Sequence, residues 1–125
     1  MPTKRARGAP GKGLPFAEVI RLALQLPGVV ESTSYGTAAL KVRDKLLARL
    51  KEDNATIVLR VEHFEREHLL RCDPATFHIT DHYRNYPYVL VNLTSADATL
   101  LAQLLEDAWR KAVTTAVRNE YDASK

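Results

Sequence analysis

The chain has 125 residues, a length that fits one domain with a substantial core of its own. Its single cysteine, Cys72, excludes an intramolecular disulfide, and no run of about 20 apolar residues marks a membrane-spanning helix. No signal segment is recognisable either. We therefore expect a cytoplasmic protein that folds without disulfides and has no membrane partner.

Positive charge is concentrated at the amino terminus. The net charge is +3, and residues 1–13 alone contribute +4, which leaves −1 on residues 14–125. Residues 1–13 also hold three glycines and two prolines and show no apolar periodicity. We therefore predict a disordered basic tail, 1–13, followed by a single domain, 14–125. An acidic partner would meet either this tail or a local cluster of cations in the domain.

The first predicted elements are a helix and a series of strands. Apolar residues recur at the spacing of one helical face over 15–26, and Pro27-Gly28 stops that helix. A strand over 29–35 then leads into a turn at Gly36-Thr37. Alternating apolar and charged residues follow, interrupted by turns at Asp44 and at 52–54, and predict an antiparallel meander.

The two faces of this meander differ in character. One is apolar and must be covered by helices: Leu40, Val42, Leu46, Ala48, Leu50, Ile57, Leu59 and Val61. The other carries six cations: Lys41, Arg43, Lys45, Arg49, Lys51 and Arg60. These cations are the clearest functional signal in the sequence, because they would attract the phosphates of a nucleic acid. The alternative is a solvated face whose charges prevent aggregation.

A second helix and two more strands are predicted after the meander. The helix is short and polar, covers 63–72, and would bury Cys72 as a small hydrophobe. The strands cover 76–80 and 87–93.

The last predicted helix has the longest apolar stripe in the chain. It begins at the capping-box-like sequence of 94–97 and places Trp109 in the core, and the polar residues after Val113 suggest fraying. The predicted class is therefore α+β, a two-layer antiparallel sheet with helices on one face, in the order α-β(3)-α-β(2)-α.

The loop at 82–87 crowds an imidazole, a guanidinium and two phenols between the last two strands. Loops held by a rigid sheet often carry recognition groups, so Tyr35, His82, Arg84 and Tyr86 are candidate ligand residues. In an enzyme, His82 would act as acid or base while Arg84 held an anionic substrate. The structural alternative is a loop fixed by packed phenols and by a guanidinium that donates to carbonyl groups.

Metal and nucleophile motifs are missing from the sequence. His63 and His68 are five residues apart in a predicted helix and lie on different faces. No paired cysteines and no strained serine motif accompany them. We predict no catalytic residue, no metal and no cofactor, and a binding protein is favoured over an enzyme.

Four segments in this order resemble the MmcQ/YjbR family of small bacterial proteins. They are LALQLPG at 22–28, SYGTAALKV at 34–42, KLLARL at 45–50 and HYRNYP at 82–87. The family usually has glycine where Asp44 and Asn85 stand, and these two residue types tolerate left-handed backbone best. The resemblance implies a two-layer α+β fold like that of secretion chaperones, and DNA binding.

Three hypotheses for the function remain open. The first is binding of nucleic acid, DNA in particular, to the basic face, with Tyr35, Tyr86 and Tyr88 contacting bases or sugars. The second is a protein-interaction module or homodimer of the same fold. The third is a small-anion or enzyme site at His82 and Arg84. Strong salt dependence of binding would favour the first hypothesis, and a molecular mass that depends on protein concentration would favour the second. A deep pocket around His82 and Arg84 would favour the third.

Overall fold

The structure is a computed structural model that describes residues 13–125. Its helices are α1 (Phe16–Leu24), α2 (His63–Cys72), α3 (Ala98–Ala112) and α4 (Thr115–Ala123). Its strands are β1 (Val30–Ser34), β2 (Thr37–Val42), β3 (Lys45–Leu50), β4 (Thr56–Arg60), β5 (Phe77–His78) and β6 (Tyr88–Asn92). The predicted disordered tail lies outside the described residues except for Gly13, whose amide donates to the carbonyl of Ala96.

All six strands form one antiparallel sheet in the order β1-β2-β3-β4-β6-β5. The predicted α+β class is therefore confirmed. Four strands precede α2, one more than the predicted order had, because the strand predicted over 29–35 belongs to the same sheet and pairs with β2 along its whole length. A fourth helix follows α3, so the predicted element order was incomplete at its end as well.

The main core lies between one face of the sheet and the helices. Val19 and Ala23 of α1, Leu69 of α2 and the stripe of α3 pack against the inward residues of the strands. Trp109 is fully buried, and its Nε1 donates to the carbonyl of Pro27 at 2.7 Å, so its predicted core position is correct. Each large side chain buried in this way contributes about 1.5–3 kcal/mol to folding.

The chain continues as a helix after Val113 and does not fray there. The Oγ1 atom of Thr114 accepts from the amide of Val117 at 3.3 Å and so caps α4. Tyr121 of α4 then packs edge-on against Trp109, with ring centroids 4.9 Å apart. The prediction of fraying was wrong because a threonine that looks like a polar chain end is an N-cap.

Helix α2 reverses the burial expected from hydropathy. Phe64 is 87% exposed and Cys72 is exposed, whereas Arg66 is only 5% exposed. The predicted burial of Cys72 was therefore wrong. The helix instead buries the guanidinium of Arg66.

Two-residue turns join β1 to β2 and β2 to β3. Tyr35-Gly36 have φ values of 52° and 80°, and Arg43-Asp44 have 52° and 63°. Positive φ at both central residues defines a type I′ turn, which matches the twist of the flanking strands. Asp44 thus takes the expected left-handed backbone, but Asn85 does not.

The turn between β3 and β4 is held by Asp53. Its Oδ1 accepts from the amides of Ala55 and Thr56, both at 2.9 Å, and its Oδ2 accepts from the Thr56 hydroxyl at 2.8 Å. The hydrogen bond from the Ala55 amide is the main reason that the pKa of Asp53 lies below its usual value. The carboxylate therefore fixes where β4 begins.

Candidate functional site

A β-bulge changes which residues of β3 reach the open face of the sheet, the face opposite the helices. Leu40 of β2 pairs with Ala48. Its neighbour Lys41 pairs with Leu46, so Leu47 is an extra residue in β3. Leu47 is fully buried in the core, and Leu46 turns to the open face. The predicted core-facing position of Leu46 was wrong for this reason.

The bulge and the neighbouring turn also move two of the six predicted cations. Lys45 pairs with core-facing Val42 and lines a groove on the helix side of the sheet, next to Leu104 of α3. Arg43 belongs to the type I′ turn and lies at the tip of the hairpin. The prediction that both residues lie on the open face was therefore wrong.

Arg49 does lie on the open face, but its guanidinium is occupied by neighbours. The residue is 6% exposed. Its Nη2 donates to the hydroxyl of Tyr83 at 3.0 Å, and its Nη1 donates to that of Thr37 at 3.1 Å. The ring centroid of Tyr35 is 5.3 Å from its Cζ, and Glu52 Oε2 is 3.8 Å from its Nη1. Arg49 therefore positions two tyrosines and is not a free cation.

The remaining predicted cations differ in how far neighbouring groups hold their charged ends. Arg60 donates from Nε to the carbonyl of Leu46 at 2.9 Å and stacks 5.3 Å from the ring centroid of Tyr88. Lys51 Nζ is 5.9 Å from the ring centroid of Tyr83. Lys41 is half-buried and makes no ion pair with any residue in 13–125. Among the predicted cations, those with an ammonium group on this face are thus Lys41 and Lys51.

The segment between β5 and β6 folds back over the open face. A 3₁₀ turn, Asp81–Tyr83, inserts Tyr83 against Val58 and Leu90 in a small second apolar cluster. His82 packs edge-on against Tyr83, with ring centroids 4.7 Å apart. The open face is therefore partly covered, and the aromatic loop lies directly on the sheet.

Arg66 of α2 holds this segment in place. Its guanidinium donates to four main-chain carbonyls, those of Tyr83 (3.2 Å), Arg84 (2.8 Å), Tyr86 (2.8 Å) and Tyr88 (3.0 Å). A guanidinium that donates to carbonyl groups thus fixes the loop, as the structural alternative proposed. This guanidinium is that of Arg66 in α2, however, and does not come from the loop itself. Sequence reasoning missed Arg66. The available signal was that 63–72 lacks a continuous apolar stripe.

Arg84 points away from the sheet. Its side chain is 64% exposed, and its Nη2 lies 2.6 Å from Asp81 Oδ1. This hydrogen bond raises the pKa of Arg84 above its usual value. The guanidinium does not line the same cleft as His82. The arrangement expected for acid–base work, His82 beside an anion held by Arg84, is therefore not formed.

Three of the four candidate ligand residues meet in one cleft. Its volume is about 190 Å³, and its walls are Tyr35, Leu46, Arg49, Val58, His82, Tyr83, Tyr86 and Tyr88. Tyr35 is 86% exposed and Tyr86 54% exposed, so both offer ring surface to a ligand. The cleft offers flat aromatic faces, held in place by Arg49, which suits a planar group such as a nucleic-acid base.

A larger groove, of about 440 Å³, lies on the helix side of the sheet. Val61, Pro87 and Leu104 contribute its apolar surface. Its charged residues are balanced, with Lys45, Arg60 and Lys111 facing Glu62, Glu65 and Asp107. Lys111 Nζ and Glu62 Oε1 are 3.8 Å apart. This balance gives the groove no net attraction for a polyanion.

Two further observations concern residues 13–125 as a whole. No group of three or more histidine, cysteine or acidic side chains in this part of the chain is arranged to hold a metal ion. None of its helices has both the length and the apolar character needed to cross a membrane.

Comparison with known proteins gives a family and a fold. The model of the YjbR family matches residues 24–111. The crystal structure of Deinococcus radiodurans protein DR2400, described by the family domain DUF419, is similar with a TM-score of 0.68 at 23% identity. The match covers 84% of this chain and 86% of that one. At this identity the likeness concerns the fold alone. Among curated proteins, none matches the chain.

Proposed function

The chain belongs to the YjbR family, and we propose that it binds single-stranded nucleic acid in the cleft on the open face of its sheet. Bases stack on the exposed rings of Tyr35 and Tyr86, and phosphates contact Lys41 and Lys51. Exposed aromatic rings beside cations are the usual combination in proteins that bind single strands with little sequence preference.

The observation that carries this proposal is the conformation of Tyr35. Its φ of 52° lies in the left-handed region, where a bulky side chain costs about 1–2 kcal/mol and asparagine or glycine is preferred. Nevertheless a tyrosine stands there, 86% exposed, with its ring beside the guanidinium of Arg49. Backbone strain that holds an exposed aromatic ring at the mouth of the cleft supports a role in binding.

The distribution of charge favours the same face. Residues 14–125 carry −1 overall, so a polyanion must be attracted locally. Lys41 and Lys51 lie on the side of the sheet that holds the cleft, and Arg43 lies at the tip of an adjacent hairpin. The groove on the helix side has balanced charge. Contacts to phosphate are therefore expected on the open face.

We expect Tyr35→Asn to weaken binding about 10-fold, the effect of losing one base–aromatic contact. Asparagine suits the type I′ turn, so relief of backbone strain offsets the lost contact between Tyr35 and Arg49, and the melting temperature should change little. The measurement is fluorescence anisotropy of a labelled oligodeoxythymidylate of about 12 nucleotides. Tyr86→Ala should weaken binding by a similar factor.

The matched control is Phe64→Ala. Phe64 is as exposed as Tyr35 but lines neither the cleft nor the helix-side groove. Its replacement should leave the affinity unchanged. Equal losses in Phe64→Ala and Tyr35→Asn would show that exposed aromatic residues act nonspecifically, and unchanged affinity in Tyr35→Asn would remove the cleft from the proposal.

A further inference from the structure

Strand β1 forms a long open edge of the sheet. Within residues 13–125, no segment pairs with its outer side. Residues 30–33 are all exposed, and Val30 is 55% exposed. The opposite edge is β5, which has only two residues. One side of the sheet therefore presents a row of main-chain donors and acceptors suited to another strand.

The turn between β1 and β2 determines which groups point outward. A two-residue type I′ turn closes on a hydrogen-bonded pair, here Ser34 with Thr37. Hydrogen-bonded and non-hydrogen-bonded pairs alternate along antiparallel strands, so Ser32 also bonds to β2. The amides and carbonyls of Glu31 and Thr33 therefore point away from the sheet.

We propose that a second copy of this chain pairs with this edge, β1 antiparallel to β1, with Ser32 opposite Ser32 of the second copy. In this register Glu31 lies opposite Thr33, and the outward groups of these two residues bond to each other across the interface. The inference goes beyond nucleic-acid binding, because it concerns a different surface.

Charge and backbone conformation together select this register over its neighbours. A register centred on Glu31 would place two carboxylates directly opposite each other, which destabilises a strand pair. A register centred on Thr33 would place Glu31 opposite Tyr35, whose left-handed backbone has already left the strand. Only the register centred on Ser32 uses both outward-pointing residues without opposing like charges.

The pairing would create one continuous sheet from two six-stranded ones. Antiparallel pairing of identical strands places the two-fold axis perpendicular to the sheet, so the open faces of both copies lie on the same side. Five-residue strands bury much less than the about 1,200 Å² typical of stable complexes. The dimer is therefore reversible and forms at high protein concentration.

Cross-linking tests the register in the full chain. In a Cys72→Ser background, Ser32→Cys places two thiols at a non-hydrogen-bonded pair, where Cα atoms are about 4.5 Å apart and a disulfide fits. Glutathione disulfide as oxidant takes up two electrons and two protons, forming one intermolecular disulfide and two molecules of glutathione. Ser32→Cys should give a covalent dimer. The control Glu31→Cys should cross-link at least 10-fold less, because its thiols are not opposite each other.

Association of the unmodified chain is measured by sedimentation equilibrium without nucleic acid. The mass should rise with concentration from 14.0 kDa towards twice that value. Thr33→Pro removes an outward amide and should abolish the rise, whereas Thr33→Val keeps the amide and the rise; melting curves show that both variants are folded. A constant 14.0 kDa, an equal rise in Thr33→Pro, or equal cross-linking in both cysteine variants overturns the proposal. None of these outcomes depends on whether nucleic acid binds.

Discussion

Arg66→Met is expected to lower the free energy of unfolding by about 3 kcal/mol and the melting temperature by roughly 10 °C. Methionine fills much of the same space but removes the donor of four carbonyls in the segment over the open face, of which only those of Tyr83 and Tyr86 also accept from main-chain amides within residues 13–125. The buried Nε of Arg66 has no partner within residues 13–125, so its removal recovers a small part of this cost. Thermal and urea unfolding measure the loss.

The control for this prediction is Arg84→Met, the same substitution in the loop that Arg66 holds. The side chain of Arg84 is exposed, and within residues 13–125 it forms an ion pair and a hydrogen bond with Asp81 alone. We expect its melting temperature to match that of the unmodified protein. If Arg84→Met is as destabilising as Arg66→Met, then the loop is held by Arg84, as a structural reading of the sequence would have it.

Removing two lysines from the open face is expected to have the largest effect on binding. The logarithm of affinity for a single strand falls with the logarithm of salt concentration, with a slope of about −0.7 per phosphate contact. The double variant Lys41→Ala, Lys51→Ala should therefore reduce the magnitude of the slope by about 1.4. At about 50 mM salt this corresponds to roughly 50-fold weaker binding. Anisotropy titrations at several salt concentrations measure both quantities.

The double variant Lys45→Ala, Lys111→Ala is the matched control, because it removes the same charge from the helix-side groove. It should leave the slope unchanged. A reduced slope in this control would mean that Lys45 or Lys111 contacts phosphate and that the groove takes part in binding.

The sequence was informative wherever one face of an element is buried throughout. The stripe of α3, with Trp109 in the core, follows the helical period, and the apolar faces of β2 and β4 follow the alternation of strands. These patterns predicted the α+β class and the layers correctly. They do so because burial of apolar surface is the main stabilising force of such elements.

The bulge in β3 left no comparable signal. Leu46 and Leu47 are both leucines, so the sequence is compatible with either residue facing the core. The choice follows from the pairing of β3 with β2 and from the two-residue turn at Arg43-Asp44. Because side chains alternate along a strand, the extra residue moved Lys45 from the open face to the helix side. The open face therefore carries fewer than the six cations predicted for it.

The sequence predicted only some of the residues that form the cleft. Tyr35, His82 and Tyr86 were predicted from residue type and loop position, and they do line one cleft. Burial of Arg49 and Arg66 was not foreseen, because arginine is rarely buried and its acceptors here are carbonyls and hydroxyls distant in sequence. Such acceptors exist only once the loop has folded over the sheet.

The most direct test of binding in the cleft is a two-dimensional ¹H–¹⁵N NMR titration of the full chain with unlabelled oligodeoxythymidylate. We expect the largest shifts at the amides of Tyr35, Gly36, His82 and Tyr86 and at the Nε of Arg49, with small shifts along α3. Shifts confined to residues 1–12, or to Lys45 and the residues of α3 that line the helix-side groove, would contradict binding in the cleft.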